Sequence, residues 1–164
     1  MALLTKTEKK FWQRHYRIEK LADIPQEMKG IVSIDSDLDD DFLFYVTSRV
    51  PIIRAFDLEN TDITDEGVKL ISIVKHVEKL ELKSSKQITK ACLTYINNLR
   101  ELKLLNLMKT NISLNDITIL KDLPNLEELY MSSEESDEYN LEKVIQLKEI
   151  LPNCRVFINY NSYE

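Results

Sequence analysis

The stretch that decides the fold is FDLENTDITDEGVKLI, residues 56–71. It opens with an apolar alternation, Phe56 and Leu58 around Asp57, and alternation of this kind marks a strand with one buried face. ITDEG from Ile63 then supplies an apolar anchor and Thr64, a residue suited to capping a helix; Val68, Leu70 and Ile71 follow at helical spacing. The same order returns in LELKSSKQITKACLTYI, residues 80–96, and in LNLMKTNISLNDITIL, residues 105–120. Short strands VSI at 32–34, LYM at 129–131 and VFI at 156–158 extend the series outward, with LDDDFLFYV from Leu38 as the first helical segment.

Successive strand segments lie 24, 24, 25 and 24 residues apart, with a longer interval of 27 before the last. The helical segments from Leu38, Ile63, Ile88 and Ile112 are 25, 25 and 24 residues apart. A unit this short cannot bury the inner faces of both its strand and its helix. Stacked neighbours can, and they then share one core and one parallel sheet. The alternation predicts Val32 and Ile34, Phe56 and Leu58, Leu80 and Leu82, Leu105 and Leu107, and Leu129 and Met131 as inward pairs.

LENTDIT at 58–64 and LMKTNIS at 107–113, together with LPNLEELYM at 123–131, resemble the leucine-rich repeat family, especially its short bacterial and ribonuclease-inhibitor-like forms. The resemblance covers roughly residues 29–160. It implies an α/β solenoid of five or six repeats of about 24 residues, with a parallel concave sheet and convex helices. Residues 1–28 are expected to form an N-terminal capping helix, and 29–164 the repeat domain. Ser84, Ser85 and Lys86 add a residue to the turn after the third strand, and SSEESDEYN at 132–140 is expected to be a solvated loop.

Composition narrows the chemistry. Only Gly30 and Gly67 occur in 164 residues, so neither a phosphate-cradling loop nor a dinucleotide fingerprint can be written. His15, His76, Cys92 and Cys154 are too scattered for a zinc site. Asp35, Asp37 and Asp39 imitate the opening of an EF-hand loop, but Asp40 stands where its glycine belongs and Val46 where its bidentate glutamate belongs. No metal or cofactor is expected. Cys92 reads as a packed thiol, His76 has no ordering partner in the pattern, and no triad-like constellation appears, so the reading is non-enzymatic.

The net charge is -6, divided as +2 over residues 1–28 and -8 over the rest. An acidic body argues against nucleic acid, which demands clustered cations. The N-terminal helix alone offers a competing reading, in which Trp12 and Tyr16 stack on bases while Arg14 and Arg17 meet phosphates. The capping reading uses the same aromatics to cover Val32 and Ile34. Two cysteines give no disulfide framework, and MALLTKTEKK is too polar for a signal or membrane segment, so a soluble, cytoplasmic, monomeric protein is expected.

On the concave face the alternation predicts a central outward row of Ser33, Asp57, Glu81, Asn106, Tyr130 and Phe157. The row after it holds Asp35, Glu59, Lys83, Met108, Ser132 and Asn159; the row before it holds Ile31, Ala55, Lys79, Leu104, Glu128 and Arg155. Asp35, Asp57, Glu59 and Glu81 at one end, Leu104, Asn106, Met108, Glu128, Tyr130 and Phe157 at the other, form the expected partner-binding set: apolar anchors beside carboxylates that would steer a basic protein. An immunity or inhibitor protein that neutralises a basic toxin or hydrolase fits this face. The alternative is an adaptor or scaffold recruiting a protein to a larger complex, for which LADIPQEM at 21–28 offers a faint resemblance to an F-box core.

Overall fold

The structure is a computed structural model that describes residues 3–163; Met1, Ala2 and Glu164, at the two ends of the expected cap and repeat regions, lie outside the described residues. In chain order the elements are α1 (Lys6–Tyr16), β1 (Glu27–Met28), β2 (Ile31–Val32), α2 (Asp40–Thr47), β3 (Ile52–Ile53), β4 (Ala55–Asp57), α3 (Asp65–Ile71) and β5 (Lys79–Glu81). They continue with α4 (Leu93–Ile96), β6 (Leu104–Asn106), β7 (Glu128–Met131), α5 (Asp137–Ile150), β8 (Arg155–Ile158) and β9 (Asn161–Tyr163). Strands β2, β4, β5, β6, β7 and β8 pair in parallel in that order, and β9 closes the sheet antiparallel to β8. Each parallel strand is thus hydrogen-bonded to its counterpart in the next copy of the pattern, which bears out a parallel α/β repeat fold.

Register carries the core. Phe56, Leu80, Leu105, Leu129 and Val156 stand opposite one another along the sheet and are buried, as are Leu58, Leu82, Leu107, Met131 and Ile158. Leu43, Val68, Leu93 and Ile117 from the helical side enter the same core. Complete burial of one such side chain contributes roughly 1.5–3 kcal/mol, so the ladder is the main cohesive term.

The first strand departs from the expected register. Ile31, not Val32, stands opposite Phe56 and is buried, whereas Val32 is 72% exposed and Ile34 50% exposed. The inward position opposite Leu58 falls to Ser33, whose hydroxyl meets that of Ser36 at 2.6 Å and so has a partner there. The rows therefore shift by one residue at this end. Val32, not Ser33, continues the line of Asp57 and Glu81, and Ile34, not Asp35, continues the line of Glu59.

The helical side shortens along the chain for local reasons. Thr64 caps α3 through its hydroxyl, and Asp39 caps α2. Thr89 begins only a 3-10 turn, Lys90–Cys92, before the single turn of α4. The segment with Asn115, Asp116 and β-branched Ile117, Thr118 and Ile119 reaches only a 3-10 turn, as its low helix propensity favours. Adjacent copies are also clasped laterally. Asp40 accepts from the Thr64 backbone N–H (2.9 Å) and hydroxyl (2.6 Å), and Asp65 accepts the same pair from Thr89 (2.8 and 2.6 Å). The clasp stops where Lys90 takes the aspartate's place and Ser113 turns to Asp116 instead.

The two ends differ from the middle. Thr5 and Glu8 form a reciprocal capping box that starts α1, and Arg17 ends it in the left-handed region at φ 57°. Phe11 and Trp12 are buried; Phe11 stacks on Tyr45 at 4.8 Å and meets Phe42 edge-on at 5.1 Å. The aromatics of α1 therefore cover the α2 side and leave Val32 and Ile34 open, contrary to expectation. At the other end, residues 137–140 are not loop. Ser136 caps the 14-residue α5, whose length accounts for the interval of 27. Asn159 and Tyr160, both at positive φ, make the two-residue turn into β9 that alternating strands of opposite direction require.

Candidate functional site

The outward face of the sheet brings most of the expected residues together, but in a different electrostatic state. Asp57, Glu81, Asn106, Tyr130 and Phe157 form one continuous row across β4 to β8. Tyr130 and Phe157 stack almost parallel, centroids 4.5 Å apart and planes 8° apart. Arg155 reaches to within 5.9 Å of the Phe157 ring, and Tyr130 donates its hydroxyl proton to Glu128 at 2.8 Å. Burial, then the Glu128 carboxylate, raises the Tyr130 phenol above its ordinary value, so it stays a neutral donor. Leu104, one strand away from Glu128 in register, is half-buried.

Two of the expected contact residues are not available. Met108 is 1% exposed and Asn106 only 7%. Asn106 ends β6, with flanking strands about 4.8 Å away on either side and Tyr130 as its neighbour in register, while Met108 lies in the turn just after that strand. Asn106 instead organises the face: its amide donates to Glu81 at 3.2 Å and its carbonyl accepts from the Met108 N–H at 3.1 Å.

The acidic character of the face is largely neutralised. Lys79 lies 2.6 Å from Glu81 and 3.9 Å from Asp57, Lys83 lies 2.6 Å from Glu59, and Arg155 pairs with Glu128. Burial and the neighbouring Glu81 push the Asp57 carboxyl above its ordinary value, with Lys79 opposing. Asp35 is off this row altogether. It occupies a left-handed turn at φ 51° and accepts from the Asn60 side chain at 2.8 Å, in line with Asn60, Ser84 and Lys109, which share the left-handed conformation. The exposed apolar residues missed by the sequence reading are Val32 and Ile34; the interval of 25 between Leu38 and Ile63 was the signal that places Ile31 inward.

Trp12 is fully buried, so it cannot stack on a base, which overturns the nucleic-acid reading of α1. Cys92 and Cys154 are buried; burial pushes the Cys154 thiol up to about 12 and the Cys92 thiol well above its ordinary value, with Asp65 adding to the latter. Neither supplies a thiolate near neutral pH. His76 does have partners, Glu78 at 2.6 Å and Arg54 at 3.2 Å, within an ion-pair cluster that also holds Glu27 and Lys103. The F-box-like segment forms a 3-10 turn, Leu21–Asp23, followed by β1 paired to β3. Among the described residues no group of three or more His, Cys, Asp or Glu side chains is placed to hold a metal, and no helix is long and apolar enough to cross a membrane.

The sequence matches no known family and no curated protein. Among solved structures, internalin C2 of Listeria monocytogenes, a leucine-rich repeat protein, is similar to this chain with a TM-score of 0.55 at 20% identity. The match covers 79% of this chain and 51% of that one, so this chain spans about half the length of that structure. The likeness is one of fold.

Proposed function

We propose that the chain is a non-enzymatic protein-binding repeat protein that engages its partner across the outward sheet face, the concave side of a curved repeat stack. The observation that carries this reading is the stacked Tyr130–Phe157 pair, held on a six-strand parallel face with Val32 and Ile34 exposed at its other end. Rigid aromatics that bury area at little entropic cost are what interface anchors consist of. Strand-lined faces of repeat proteins are extended surfaces suited to this use.

The more specific reading is an immunity or inhibitor protein, monomeric when free, that neutralises a basic toxin or hydrolase by covering it. Its support is the net charge of -6 together with the absence of cation partners for Asp35, Asp37, Asp39, Asp40 and Asp41 among the ion pairs of the described residues. These aspartates, which run from the turn after β2 into the first turn of α2, can contribute to steering a basic partner more than the paired carboxylates of the sheet. The test is affinity purification from the native source with wild type and the Tyr130→Ala/Phe157→Ala variant. A specific basic protein lost only with the variant, at unchanged melting temperature, is the expected result. Retention of every wild-type partner by the folded variant contradicts the placement.

A further inference from the structure

Beside the N-terminal cap lies a cavity of about 410 Å³, a size within the range of small-ligand sites. Its aromatic wall comes from α1 and α2: Phe11 and Phe42 meet edge-on, Tyr45 stacks on Phe11, and the His15 ring lies 4.8 Å from Phe11 and perpendicular to Phe42 at 5.2 Å. Its other wall is the Ser33–Asp41 segment, which contributes Asp37 and Asp41, both exposed and without a hydrogen-bonded or ion-paired partner among those described. Arg14 also lines the cavity and makes no ion pair with either, so the lining carries one cation against Asp37, Asp39 and Asp41. Aromatic rings and unpaired carboxylates thus line one opening, on the side of the first strand to which Ser33 turns, while Val32 and Ile34 turn to the outward sheet face.

We propose that this cavity takes an arginine side chain of the protein partner, a step that rests on the protein-binding reading above and names the chemistry at its N-terminal end. A guanidinium is flat, weakly hydrated and forked, so it can lie against an aromatic ring and still point donors at two carboxylates; an ammonium is a compact, strongly hydrated point charge that loses more hydration in doing so. Burial, with the Arg14 charge second, lowers the His15 pKa, so the imidazole is neutral at pH 7 and presents a ring without opposing charge.

The probe is N-acetyl-arginine methylamide, titrated into the full chain by two-dimensional NMR beside its lysine and citrulline counterparts. The arginine probe is expected to saturate at roughly millimolar concentration, the range a single side chain supports, with shifts centred on His15, Phe42 and Ser36. The neutral citrulline probe should not saturate, and Asp37→Asn/Asp41→Asn should weaken the arginine probe at least about fivefold while leaving the melting temperature close to wild type, both carboxylates being exposed. Equal binding of citrulline, equal or tighter binding of lysine, unsaturable shifts, or full affinity in the double variant would each overturn the proposal. Tyr130→Ala/Phe157→Ala should bind the probe unchanged. Loss of partner in that variant with no arginine binding here would overturn this inference alone, and the converse would overturn only the sheet-face reading.

Discussion

Gly67 and Asp40 are matched across two copies of the pattern: a Cβ on Gly67 would stand 2.3 Å from Asp40 Oδ1, the same oxygen that accepts the Thr64 N–H. The glycine lies inside α3 and its φ is not positive, so its backbone does not need glycine. Space for the clasp does. Gly67→Ala removes a helix-interior glycine, a gain of about 1 kcal/mol, but displaces a carboxylate holding two hydrogen bonds, a loss of about 1–3 kcal/mol. The net expectation is a lower denaturation midpoint. Asp40→Ala/Gly67→Ala should be less destabilised than the two single changes added together, and strict additivity in urea melts would contradict the clasp.

Glu8 links the cap to the repeats. It is mostly buried and accepts from Arg49 Nε at 2.7 Å and from the Thr5 N–H at 2.8 Å. The Thr5 hydrogen bond, with Arg49 adding to it against the opposing effect of burial, holds its carboxyl below the ordinary glutamate value. A depressed folded pKa means the stabilisation is complete above the unfolded value and drains away as pH falls through the folded one. Glu8→Gln should therefore cost about 1–2 kcal/mol near pH 7, with the gap from wild type closing in acid. A gap that stays constant down to the acid limb would contradict the assignment.

Trp12 is the sole tryptophan and is fully buried, which makes it a reporter of the cap. Its emission should be blue-shifted and insensitive to iodide, and Trp12→Ala should cost about 3–5 kcal/mol as a large cavity opens. Iodide quenching comparable with free tryptophan would mean that α1 does not cover the core.

Cys92 and Cys154 should resist alkylation by iodoacetamide at pH 8 in the native protein and react fully in denaturant, since burial keeps both as thiols. Rapid native labelling of Cys92 would reopen a nucleophilic role.

The repeat was legible because strand alternation and helical spacing agree at four successive copies, and agreement between levels is what a single fold requires. The register failed only at the first strand. Alternation alone lets IVSI read in either phase, with only the 25-residue interval between Leu38 and Ile63 favouring Ile31, and the Ser36 hydroxyl that satisfies the inward Ser33 is not marked by any spacing rule. Helix α5 was hidden by its acidic start, whose aspartate and glutamate suit both a solvated loop and the first turn of a helix. For the sheet face, sequence located the row but not its charge state, because Lys79 and Lys83 neutralise carboxylates on strands 22 to 24 residues away or two positions along. Burial of Met108 likewise depends on neighbours supplied by adjacent strands.

Site-specific photo-crosslinking tests the central claim most directly. A photoreactive amino acid placed at Val32 or Tyr130 samples the sheet face, and one at Ile73 or Leu141, exposed residues outside the sheet, samples the rest. The expected result is a discrete protein adduct of the same partner from both sheet positions and none from Ile73 or Leu141. Adducts from Ile73 or Leu141 with a silent sheet face would contradict binding through the strands.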